Sequence, residues 1–234
     1  LTEHFDFQKG EKLLFDKPYG QTSFGVVNRV RGIIKRKIHV KNIKVGHAGT
    51  LDPLATGLLV LCTGKMTKEI STIQDAEKEY TGTVTLGATT PSYDLETAVD
   101  RTFPTDQITD ELIQHVALSF QGEQDQMPPI FSAKQVDGKR AYTLARKGKE
   151  VKLDAKRIVI REFEITDIRR NDGLEVDFRV SCSKGTYIRS LAHDLGLALN
   201  SGGHLTALRR TRIGNLSVDD AITADMFQQM MHGS

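Results

Sequence analysis

The run Leu58-Leu59-Val60-Leu61-Cys62 constrains the fold more than any other stretch of the chain. Unbroken apolar residues held between Gly57 and Gly64 read as a buried strand. Directly before them stands "GHAGTLDPLAT", a loop with one carboxylate, Asp52, placed ahead of Pro53. A residue before proline is pushed out of the α region into an extended conformation, and the proline's own φ is fixed. Gly46, Gly49 and Gly57 let the loop turn tightly, or let a ligand approach its backbone. Stiff backbone around a lone carboxylate is what positioning a nucleophile requires. An Asp-Pro turn whose aspartate merely caps backbone groups shows the same pattern, and the pattern alone favours that bland turn. His47, on the same loop, reads as structural or as a group that stacks on or hydrogen-bonds a base.

The surrounding pattern mixes strands and helices without a regular βαβ alternation. Leu13–Gly20 is a short strand ending in a Pro-Gly turn. Thr22 or Ser23 caps a helix whose apolar face is Val26, Val27, Val30, Ile33 and Ile34. Tyr80–Leu86 and Arg157–Ile168 read as strands, and Thr109–Phe120 carries helical periodicity. After the turn signal Asn171-Asp172-Gly173, Glu175–Cys182 alternates cleanly. Ser190–Leu199 reads as a helix, and the tail from Val218 as one short helix. The expected fold class is α+β, around one large mixed or mainly antiparallel sheet flanked by helices and loops. At 234 residues the chain is read as a single domain, with an arm at about 127–151 projecting from it.

Net charge is only +2, so distribution matters more than the sum. Arg29, Arg31, Lys35, Arg36, Lys37, Lys41 and Lys44 run without an intervening acid. A second basic stretch spans Lys134 to Arg157. Two such patches on a near-neutral chain suit a polyanion, or are two solvated faces. Cys62 and Cys182 lie in apolar strand patterns and read as reduced core thiols. No apolar run approaches the ~18 residues of a membrane span, and no signal peptide is visible, so a soluble cytoplasmic protein is expected. Gly64-Lys65 is no phosphate loop: Met66 follows the lysine, and Leu59 stands where the first glycine belongs. No GxGxxG, HExxH or calcium-loop spacing occurs.

A second cluster, "CSKGTYIRS", ends a strand and then presents Tyr187 and Arg189 at i, i+2. In an extended segment these side chains point the same way. An arginine beside a carboxylate keeps it ionised and aimed, whereas the bland reading is a structural ion pair and a core tyrosine.

"GHAGTLDPLATGLLVLCTGKMTK", "KEYTGTVTLG", "PPIFSAKQVDGKRAYTLARKGKEV", "CSKGTYIRSLAHDLG" and "HLTALRRTRIG" follow one another in this order. Together they resemble the bacterial tRNA pseudouridine-55 synthase family, of the TruB type, over most of Leu13–Val218. The resemblance implies the pseudouridine synthase catalytic fold and an isomerase that turns uridine into pseudouridine in the T-loop of tRNA, with a flipped-out base and without metal or cofactor. It implies Asp52 as the nucleophile, toward either the base or the sugar, and Arg189 as its partner. Tyr80 matches a tyrosine that stacks on the target ring and moves a proton, and Tyr187 a second pocket tyrosine. Leu208 matches an apolar pocket residue, and His47 a histidine that helps hold flipped nucleotides. Lys17-Pro18 matches a structural motif beneath the active-site loop. The arm resembles an RNA-gripping insertion, expected to be mobile without RNA. The family's small C-terminal RNA-binding domain is expected to be absent, and the protein to be a monomer that meets the T stem-loop of tRNA and no membrane. The alternatives are the same chemistry on another structured RNA, or an RNA-binding or RNA-folding protein with secondary catalysis.

Overall fold

The structure, a computed structural model, describes residues 5–131, 135–136, 139–140 and 153–232. In chain order the strands are β1 (Lys12–Lys17), β2 (Val45–His47), β3 (Thr56–Thr63), β4 (Lys78–Leu86), β5 (Ala88–Thr89), β6 (Arg101–Thr102), β7 (Gly122–Gln126), β8 (Gln135–Val136), β9 (Lys139–Arg140), β10 (Lys156–Arg169), β11 (Leu174–Cys182), β12 (Gly203–Ile213) and β13 (Leu216–Ser217). The α-helices are α1 (Ser23–Lys37), α2 (Ile70–Asp75), α3 (Asp110–Ser119), α4 (Ile188–Ala198) and α5 (Ala224–His232). Among the described residues, nine strands join one sheet in the order β1-β3-β12-β4-β11-β10-β7, with β2 on β3 and β13 on β12. The β3–β12 pairing is parallel, and the pairings of β1 with β3 and of β10 with β11 and β7 are antiparallel. This is the α+β class with a mixed sheet that the sequence predicts.

The chain divides into two compact units, Leu1–Tyr80 with Arg209–Ser234, and Thr81–Leu208. In the first, β3 carries the apolar run, and the period of two explains why it is unbroken. Leu59 and Leu61 pack with Phe15, Val30, Ile34 and Phe227, while Leu58 and Val60 join Ala48, Ile213 and Val218. Both faces of the strand are covered, so every residue is apolar. Phe15 and Phe227 meet edge to face at 5.5 Å, which fastens α5 to β1. Helix α1 begins as expected, with the Thr22 hydroxyl accepting from the Gly25 amide. It runs on to Lys37, placing Lys35, Arg36 and Lys37 in its last turn, where cations suit the negative end of the helix dipole. The basic segment therefore begins within this helix.

In the second unit β11 buries Leu174, Val176, Phe178, Val180 and Cys182, the alternation read from the sequence. Phe163 of β10 meets Phe178 at 5.7 Å, and α3 lies against β10 with Ile113 and Ala117 buried. Cys62 and Cys182 are both buried. Most of the arm, and with it the expected mobility, lies outside the described residues; β8 and β9 pair through Gln135↔Arg140 and Val136↔Lys139. No described helix is long and apolar enough to cross a membrane.

Candidate active site

The expected site residues fall in both units. Asp52, His47 and Tyr80 belong to the first, and Tyr187, Arg189 and Leu208 to the second.

In the first unit Asp52 stands half-buried between β2 and β3. The backbone around it is fastened from several sides. The Ser23 hydroxyl, at the start of α1, donates to the Leu51 carbonyl at 3.0 Å and accepts from the Leu51 amide at 2.9 Å. The Ala55 amide donates to the Asp52 carbonyl, and the Gly20 amide to the Pro53 carbonyl at 2.9 Å. Beneath the loop, fully buried Lys17 donates its ammonium to the carbonyls of Pro18, Gln21 and Pro53, at 3.0, 2.7 and 3.2 Å. Those bonds use all three ammonium hydrogens, which is how a cation can be buried. Burial pulls the Lys17 pKa down to about 8; attraction to Asp52 opposes that pull and the charge of Arg210 adds to it. Asp52 therefore faces a charged lysine at neutral pH. The stiffness read from Pro53 and the glycines is completed by hydrogen bonds from β1 and α1, neither of which is near it in sequence.

His47 closes β2 opposite Leu61. Burial first, and then the charge of Arg210, lower its pKa, so the ring is neutral at neutral pH and can accept as well as donate. Tyr80 is buried on β4, two residues after Lys78, whose ammonium binds the carbonyls of Gln74 and Ala76.

In the second unit the expectation of an extended Tyr187-Ile188-Arg189 is corrected. Tyr187 alone is extended, with φ −98° and ψ 107°, and α4 starts at Ile188, two residues earlier than read. Tyr187 and Arg189 therefore do not share the face of a strand. The physical reason is Gln126, a 3% exposed residue at the end of β7. Its amide accepts from the Tyr187 N–H at 2.8 Å and donates to the Tyr187 carbonyl at 3.0 Å, tying off the chain where the helix begins. Arg189 sits in the first turn of α4 and is 5% exposed. Its Nη1 donates to the carbonyls of Ser92 and Phe131, at 3.1 and 2.9 Å, and its Nε lies 3.7 Å from the buried Asp94 carboxylate. Ser190 adds a bond to the Met127 carbonyl at 2.7 Å. The first turn of α4 thus holds both the segment around Asp94 and the root of the arm. Leu208 is half-buried on β12.

Asp94 and Gln126 were not among the residues singled out from sequence. Asp94 sits in a polar stretch with the look of a loop, and its arginine lies far along the chain. Between Ser92 and Asp94, Tyr93 adopts φ +63° and stacks on His193 of α4, with ring centroids 3.9 Å apart. A non-glycine residue there is strained, and the stack and the Leu205 N–H bond to its carbonyl help to hold it.

Asp194, beside His193, has its carboxyl pushed up to about 6 by burial. A folded-state pKa above the unfolded one means that the native chain holds the extra proton as pH rises through the interval between them. Stability therefore falls across that window and stays lost above it. The carboxyl is partly solvated, so the loss is held to about 1 kcal/mol. Asp194→Asn should raise the melting temperature by roughly 2–4 °C at about pH 7.5 and leave it unchanged at about pH 3, below the unfolded pKa. Thermal melts of both proteins at the two pH values check this; an equal shift at both would refute it.

Among the described residues, no group of three or more His, Cys, Asp or Glu side chains is arranged to hold a metal ion. Comparison with known proteins adds the following. A family model described as "TruB family pseudouridylate synthase (N terminal domain)" matches residues 35–188. One described as "tRNA pseudouridylate synthase B C-terminal domain" matches residues 189–233. The chain is 54% identical over 226 residues to a protein of Phocaeicola vulgatus named tRNA pseudouridine synthase B, covering 97% of this chain and 95% of that one. It is 56% identical over 225 residues to a protein of the same name from Bacteroides thetaiotaomicron, covering 96% and 94%. Among solved structures it resembles a chain of a Cbf5-Nop10-Gar1 complex, with a TM-score of 0.67 and 30% identity. That match covers 94% of this chain and 55% of the other.

Proposed function

The chain belongs to the TruB family of pseudouridylate synthases, and we propose that it isomerises uridine to pseudouridine in the T-loop of tRNA, with Asp52 as nucleophile and the target base flipped out. Its relatives' shared name, tRNA pseudouridine synthase B, supports tRNA as the substrate. The observation that carries the catalytic reading is the Asp52 loop. It offers one carboxylate on backbone fastened at Leu51, Asp52 and Pro53, with charged Lys17 below. A nucleophile held in this way loses little entropy on attack.

The reaction breaks the C1′–N1 bond, turns the uracil and joins C1′ to C5. The C5 hydrogen leaves as a proton and N1 gains one, so atoms and charge balance without a redox partner. Asp52 attacks either the base, at the carbon next to N1, or the sugar at C1′; a sugar ester is displaced as C5 bonds to C1′, whereas a base ester is eliminated as the C5 proton then leaves. Arg189 keeps a carboxylate ionised and aimed, Tyr80 stacks on the uracil and moves a proton, and Tyr187, Leu208 and His47 line the flipped nucleotides. Extruding the uridine costs a few kcal/mol. The cations from Arg29 to Lys44 offset this by holding the phosphates of the stem-loop.

The test follows from the balance. Each uridine converted sends one C5 hydrogen to water. Incubation with tRNA carrying C5-tritiated uridine should release about one tritium from the T-loop per molecule, and an isolated T stem-loop should serve as well. Release only from another structured RNA would replace the substrate assignment. Tight tRNA binding without release would replace the enzyme with an RNA-binding protein.

A further inference from the structure

We infer that Arg210 is the positioning residue that closes the Asp52 loop, a reading that rests on the proposed role of Asp52 and deepens it. Arg210 lies on β12 and is 1% exposed, the largest fully buried side chain among the described residues. A guanidinium carries five N–H donors and a charge it cannot shed, so its burial is costly unless those donors are met. Here three of the five are met, two by the loop and one by the strand that follows it. Nε donates to the Leu58 carbonyl at 2.8 Å and Nη2 to the Gly49 carbonyl at 3.0 Å, while Nη1 makes a longer contact of 3.4 Å to the Thr50 carbonyl.

These carbonyls stand on either side of Asp52. One planar fork therefore bridges the entry and the exit of the loop, and through them sets where the carboxylate is carried. The main chain of the same residue holds the exit a second time. Arg210 pairs with Gly57 in the parallel register of β12 and β3. Gly57 has φ +102°, and a Cβ there would meet the Arg210 carbonyl oxygen at 2.3 Å. Only glycine allows the two backbones to come this close. The charge of Arg210 is also felt around Asp52, since it lowers the pKa of both Lys17 and His47. A core residue needed only for packing could be apolar, and carbonyls alone can be met by a hydroxyl, as Ser23 does for Leu51. A lysine in this place is a point donor and cannot span from Gly49 to Leu58.

The test compares Arg210→Lys and Arg210→Met with wild type by thermal melting, amide hydrogen exchange, tRNA affinity and single-turnover tritium release. Arg210→Lys is expected to fold and to bind tRNA within about threefold of wild type, while its single-turnover rate falls about 100-fold, the scale of a nucleophile displaced by about 1 Å. Amides at 49–55 should exchange at least about tenfold faster, with those of β1 and the centre of β3 unchanged. A folded Arg210→Lys with wild-type exchange and rate overturns the inference. So does protection lost uniformly from the loop and both strands, or failure of both variants to fold, because Arg210 is then a core residue only. If wild type itself releases no tritium from any RNA, the proposed activity fails separately. Local exchange at 49–55 then decides alone whether Arg210 positions the loop.

Discussion

Asp52→Asn should abolish tritium release from tRNA, lowering the single-turnover rate by at least about 10⁴-fold, or roughly 5 kcal/mol of barrier. The amide is nearly isosteric with the carboxylate. The loop around it is held by backbone bonds to Ser23, Gly20 and Lys17, which the substitution does not touch. The substitution therefore removes the attacking electron pair and leaves its scaffold in place. It also removes a charge that Lys17 feels. Asp52 raises the Lys17 pKa against the pull of burial, so the variant should hold its buried ammonium less well. A modest drop in melting temperature, with tRNA binding retained, is the expected companion result. Release by the asparagine variant at near the wild-type rate would move the nucleophile to another residue. The loss of release does not by itself distinguish attack on the base from attack on the sugar; a uridine analogue fluorinated at C5 that stalls the covalent intermediate would.

The second large effect concerns Arg189 and Asp94. Both are buried, and Asp94 is the carboxylate 3.7 Å from the arginine Nε. Removing one member of a buried pair strands the other charge, and typically costs about 3–5 kcal/mol. Asp94→Ala should therefore melt well below wild type. Arg189→Met should do so too, because it also withdraws a donor from the carbonyls of Ser92 and Phe131. In the double variant neither Arg189 nor Asp94 is left facing the loss of the other, so its stability loss should be smaller than the sum of the two single losses. Activity should behave differently. If Arg189 acts on the reacting carboxylate, the double variant regains stability and stays inactive. Recovery of both together would make the pair purely structural. Urea unfolding and single-turnover release on the four proteins of the cycle decide the matter.

Much of the architecture was legible in the residues. The alternation of β11, the cap of α1 and the periodicity of α3 all rest on local chemistry, and each appears within a few residues of its expected bounds. Two of the strands missed by pattern, β7 and β12, show why others were not. Strand β7, "GEQDQ", has no apolar face and is defined by backbone bonds to β10 at the edge of the sheet. Strand β12 carries adjacent arginines, which hydropathy places in solvent. Arg209 instead pairs with Asp16 through two bonds of 3.0 and 2.8 Å, and Arg210 is buried against carbonyls. Neither partner set is near β12 in the chain, so no window of sequence contains it.

The class of fold, the buried strand β3 and the loop that carries Asp52 are written in local residue chemistry, because proline, glycine and an apolar run act through their own backbone. The motif match assigned the chemistry to that loop. The motif match had also set Lys17 beneath that loop, but its bonds, the other groups that hold the carboxylate in place and those that surround Arg189 follow from long-range packing. Those contacts come from Lys17, Ser23 and Arg210 in one unit and from Asp94 and Gln126 in the other. Each is a polar group with at least one partner distant in the chain, and contact of that kind is settled by which polar groups the fold brings within reach.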